Sequence, residues 1–123
     1  MNTVKTEKEL AKQIENNADM IVIEGSLKDK VIRIKAEGKA SWIIALGAIG
    51  VAVAGILAGP ATGGISASAA FLMAPAAVTT LGLPTATTAI LIAVAAGGVG
   101  VLNKLRDYDI VEKNDKRVKL KRN

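Results

Sequence analysis

Residues 40–103 read ASWIIALGAIGVAVAGILAGPATGGISASAAFLMAPAAVTTLGLPTATTAILIAVAAGGVGVLN, without a single Asp, Glu, Lys or Arg. Sixty-four consecutive uncharged residues, in a chain otherwise dense in charge, decide the reading of the fold. A surface helix of a soluble protein keeps a polar face, whereas a membrane helix needs about 20 apolar residues. The stretch has room for two or three such spans. The first is predicted from Ser41 to about Gly59 and is ended by Pro60 and Thr62-Gly63-Gly64. The last is predicted from about Thr85 to Leu102, stopping before Lys104 and Arg106. Between them, residues 65–81 are apolar but interrupted by Pro75, which predicts a kinked or re-entrant segment.

Charge on either side sets the topology. Residues 1–39 carry eight Lys/Arg and seven Asp/Glu; residues 104–123 carry eight and four. Basic residues flank both ends of the uncharged run, and basic flanks stay cytoplasmic. An even number of crossings satisfies both. The expected fold is therefore a membrane α-helical hairpin of two spans plus the kinked or re-entrant middle segment. Both termini are placed in the cytoplasm, where they form a small α+β unit. Three regions follow: 1–39, a helix and two strands; 40–103, embedded in the membrane; and 104–123, a basic β-hairpin.

The flanks carry local folding signals. Thr6 with Glu9 fits a capping box, opening a helix to about Asn16 with Leu10, Ala11 and Ile14 as its apolar stripe. Met20–Glu24 and Val31–Lys35 read as strands, the second from the alternation of Ile32 and Ile34 with Arg33 and Lys35. Residues 108–112 and 117–121 read as two more, joined by the turn Lys113-Asn114-Asp115-Lys116. A lone hairpin is marginal in water, so strands from both ends are expected to share one four-stranded sheet.

Small residues recur at four-residue spacing, which places them on one helix face and lets backbones approach. Gly50, Ala54 and Ala58 share a face in the first span, with Gly47 near it and Gly55 and Gly59 on a second. In the last span Ala89, Ala93 and Gly97 form one face, and Gly100 belongs to another. This spacing resembles that of glycine-zipper membrane proteins, a packing device shared by many functions. It predicts a helix-packing surface for a homo-oligomer. Trp42, Lys104, Arg106, Arg117, Lys119, Lys121 and Arg122 are the candidates for contact with lipid headgroups.

Other chemistry is poorly represented. Cys and His are absent, which removes thiolate nucleophiles, disulfides, Cys/His zinc sites and imidazole catalysis. The charged residues before position 40 predict no removable secretory signal. Gly97-Gly98-Val99-Gly100 lacks the rest of a dinucleotide fingerprint. The hydroxyls of Thr79, Thr80, Thr85, Thr87 and Thr88, clustered near Pro84, are expected to bond back to helix carbonyls. The basic tail holds no aromatic residue for stacking on bases, so no nucleic-acid partner is expected. The resulting expectation is a non-enzymatic, self-associating integral membrane protein without cofactor or metal, acting as scaffold or passive pore. The alternative is a membrane-inserting effector or pore-forming toxin.

Overall fold

The computed structural model describes residues 2–58 and 75–122. Its core is built outward from β2 (Met20–Glu24), whose Ile21, Val22 and Ile23 are all buried. The three-residue β1 (Asn2–Val4) pairs with β2 in parallel, Val4 opposite Ile23, with α1 (Glu7–Glu15) as the crossover. On its other side β2 meets β4 (Arg117–Lys121) antiparallel, setting Ile21 against Leu120 and Ile23 against Val118. β3 (Asp109–Lys113) closes the order β1-β2-β4-β3. Its turn to β4 is held by Asn114, whose Oδ1 accepts from the backbone N–H groups of Lys116 (2.8 Å) and Arg117 (3.0 Å). Both chain ends thus share one four-stranded mixed sheet.

The capping box opens α1 as the sequence implies. Thr6 Oγ1 accepts from Glu9 N at 3.2 Å, and Glu9 Oε1 accepts from Lys5 N at 3.3 Å. Leu10, Ala11 and Ile14 are its buried stripe. The expected strand Val31–Lys35 is instead part of a helix, α2 (Ser26–Ala36). Five alternating residues suggested a strand, but Leu27, Val31 and Ile34 recur at helical spacing over a longer window and are the apolar side chains α2 buries. The sheet's fourth strand is β1, which carries no alternation in the sequence.

The membrane hairpin is overturned. The apolar run supplies α3 (Lys39–Ala58), α4 (Pro75–Leu81) and α5 (Leu83–Ala96), followed by α6 (Gly100–Asp107). With α1 and α2 these make a small α+β fold in which, among the described residues, only α3 is by itself long and apolar enough to cross a membrane. The expected last span fails on length. α5 has 14 residues, against about 20 for a crossing. Gly97 then adopts the left-handed conformation (φ 82°, ψ 12°) and caps it, and α6 departs at 111°. A helix apolar all round is buried in a protein core or in lipid. α5 takes the first course: Thr85, Ala86, Thr88, Ala89, Ile90, Ile92 and Ala93 are buried among α1, α2, α3, α4 and α6. Of the expected middle segment, residues 75–81 form the seven-residue α4. Residues 65–74 lie outside the described residues.

Thr80 and Thr87 bond back to helix carbonyls as expected, whereas Thr88 does not. Thr80 and Thr87 donate to the carbonyls of Ala76 and Leu83, four residues back, and Thr88 donates to Glu7 on α1.

The Gly97 cap gives a contrast between two glycines read as one kind of packing residue. Gly97→Ala forces a Cβ into the left-handed region and is expected to cost about 1–2 kcal/mol. Gly50→Ala adds a Cβ 4.0 Å from Val99 Cγ1, an ordinary contact, inside a right-handed helix. It is expected to stabilise by about 0.5–1 kcal/mol. Denaturant midpoints of the two variants should move in opposite directions.

Candidate functional site: the uncharged face of α3

α3 is docked along one side only. Trp42, Ala45, Ile49, Ala52 and Val53 are buried against the body, principally against α4 and α5. The opposite side is open: Ile43 is 60% exposed, Ile44 61%, Val51 70% and Leu57 49%. Gly47, Ala54 and Gly55 lie among them and are also exposed. At 3.6 residues per turn these positions cover about 160° of the helix circumference. That arc contains no charged side chain beyond Lys39 at the first residue of the helix. Only 28% of the apolar stretch is buried, so α3 is not an ordinary core helix. An outward face of this kind normally carries polar residues.

The docked side is fastened by charged groups. The Trp42 indole N–H donates to Asn103 Oδ1 at 3.0 Å, and the Arg106 guanidinium lies 4.6 Å from the ring centroid. Arg106 also donates to the carbonyls of Ile34 (2.7 Å) and Glu37 (2.9 Å), capping the end of α2. Lys35 reciprocates: its Nζ donates to the carbonyls of Leu105, Arg106 and Tyr108, capping the end of α6. Burial lowers the Lys35 ammonium from its ordinary pKa; Asp109 opposes the shift and Arg106 adds to it. Further round the body, Arg33 donates to Thr80 O at the end of α4 (2.9 Å), and Glu7 accepts from Thr88 on α5 (3.1 Å).

Tyr108 is the chain's only tyrosine. Its hydroxyl donates to Ala18 O at 2.6 Å. Burial raises its pKa, with Arg122 pulling it down and Asp19 pushing it up. The phenol is retained in the folded state above pH 10, where the unfolded chain has begun to lose it. Stability from this group is therefore full below pH 10 and falls as pH rises through the folded value. Spectrophotometric titration should give a phenolate midpoint above 10 for the native chain and near 10 in denaturant. Tyr108→Phe should flatten the alkaline loss of stability.

The structure separates the residues expected to act together. Of the small-residue set, Gly47, Ala54 and Gly55 are on the open arc, while Gly50 faces Val99. Ala58 ends α3, and Gly59 lies outside the described residues. Ala89 and Ala93 are fully buried in α5, Gly97 is a helix cap and Gly100 starts α6. Of the headgroup set, Trp42 is buried and Arg106 is committed to the α2 cap. Lys119 pairs with Glu112 at 3.4 Å, and Arg122 with Asp19 at 2.9 Å. Lys104, Arg117 and Lys121 are exposed on α6 and β4, apart from the α3 arc in the fold. Ile43, Ile44, Val51 and Leu57, the large side chains of the open arc, were not singled out by the sequence. No pattern within α3 could do so, because the helix is apolar on every side. Among the described residues, no group of three or more His, Cys, Asp or Glu side chains could hold a metal ion.

No curated protein and no solved structure matches the chain. A family model does match, over residues 3–122, and the chain belongs to that family, described as Uncharacterised protein PM1101.

Proposed function

We propose that this protein is a non-enzymatic membrane protein that attaches to lipid through α3 and acts as a scaffold. One observation carries the reading: an arc of about 160° of α3 faces outward with only apolar or small side chains. Monomeric soluble proteins rarely leave contiguous apolar patches of this kind uncovered. Burying a Val, Leu or Ile side chain contributes about 1.5–3 kcal/mol, so four of them supply enough for stable attachment. The buried position of α5 favours scaffold over pore, because it withdraws that helix from any pore lining.

Flotation with phosphatidylcholine vesicles loaded with a self-quenching dye tests both parts. The chain should rise with the vesicles and release no dye. A chain left in the aqueous fraction would refute attachment. Flotation with dye release would favour the alternative, a membrane-inserting effector.

A further inference from the structure

We propose that α3 lies lengthwise in one leaflet of the bilayer, its open arc turned into the acyl chains, and does not cross. This rests on the membrane reading above. The argument comes from where charge sits around α3. Its docked side touches α4 and α5, and packed helix axes are about 8–10 Å apart. Charged groups close off that package from behind. Glu7 reaches Thr88, itself 1% exposed, on α5; Arg33 reaches the last turn of α4; Arg106 covers Trp42 at the start of α3. If α3 crossed with the fold intact, α5 would enter the hydrocarbon beside it. The Glu7 carboxylate and the charged outer face of α1 would follow, and charge at that depth is strongly disfavoured. Presented sideways, α3 places only its uncharged arc in lipid, and every charge just named stays on the aqueous side.

The dimensions agree. α3 has 20 residues and is about 30 Å long. Helices lying in the interface bury their apolar face about 5–10 Å deep, a depth that side chains of the size of Ile43, Ile44, Val51 and Leu57 fill. The polar face that such a helix normally carries itself is replaced here by the α+β body. The body fixes the rotation of α3 about its own axis, so one arc alone can meet lipid.

The chain has no cysteine, which permits single-site labelling. Ile43→Cys, Val51→Cys and Leu57→Cys, each carrying a small fluorophore, are bound to phosphatidylcholine vesicles brominated either near the headgroup or near the chain end. Ile44→Cys replaces any of the three that fails to fold, as judged by Trp42 fluorescence. The first and last labels are about 21 Å apart along the helix. In-plane docking gives one common shallow-to-deep quenching ratio at all three sites. A ratio that changes severalfold from residue 43 to residue 57 means a crossing helix and overturns the proposal. Vesicle-bound protein whose labels quench one another but not with bromolipid means that a second copy covers the arc, which also overturns it. A chain that does not bind vesicles at all refutes the membrane reading itself, and the in-plane geometry with it.

Discussion

Ile44→Glu combined with Val51→Glu is expected to abolish membrane attachment while leaving the chain folded. Both side chains are more than 60% exposed, and substitutions at such positions change stability by about 0.5 kcal/mol or less. On the bilayer each loses about 1.5–3 kcal/mol of apolar burial and brings a charge to the lipid boundary. Every 1.4 kcal/mol is tenfold in binding, so the pair should weaken partition into phosphatidylcholine vesicles about 100-fold or more. Thermal unfolding of the free variant should match the parent. A partner for this comparison is Lys113→Glu on the exposed strand β3, expected to change partition little in neutral vesicles. Unchanged partition of the double variant would mean that lipid meets some other surface.

Ile90→Ala tests the other half of the account, the burial of α5. Ile90 is fully buried at the centre of the helical layer. Removing three carbons there costs about 2–5 kcal/mol through lost transfer energy and the cavity left behind. Against a total stability of about 5–15 kcal/mol for a domain, the loss should be plain in the denaturant midpoint. The same substitution on a lipid-facing helix surface would exchange one apolar contact for another and leave no cavity. A shift below about 1 kcal/mol would contradict the burial of α5.

Much of the local structure was legible because it follows from short-range chemistry. Thr6 and Glu9 announce α1, and its stripe of Leu10, Ala11 and Ile14 follows from spacing alone. The β3–β4 hairpin follows from two alternating runs around Asn114, to within a residue. Threonine back-bonding near Pro84 follows from the need to satisfy backbone groups. The error lay in treating apolar composition as sufficient for a span. α5 looks identical to a membrane helix by composition, and what excludes it is long-range: α1 and α2 cover it, and Gly97 ends it after 14 residues. α2 was misread because a five-residue window cannot separate alternation from helical recurrence when Val31, Ile32 and Ile34 serve both.

The candidate site was legible only in outline. The absence of charge from residue 40 onward marks α3 as unusual. Which side faces outward is set by Trp42, Ala45, Ile49 and Ala52 finding α4 and α5, a tertiary event with no local signature. The same holds for the mutual capping of α2 and α6. Lys35 and Arg106 are 71 residues apart, and each caps the helix that carries the other. The sequence shows two cations near helix ends, and only the fold shows that they are exchanged.

The central claim is that α3 is the lipid-facing helix of a body in which the apolar helix α5 is internal. Single cysteines at Ile44, Val51, Ile90 and Ile92, probed with a membrane-impermeant maleimide with and without phosphatidylcholine vesicles, test it most directly. The account predicts rapid labelling at 44 and 51 in water, protection of both by vesicles, and no labelling at 90 or 92 in either condition. Fast labelling at 44 and 51 that vesicles leave unchanged, or ready labelling at 90 and 92 in water, would contradict it.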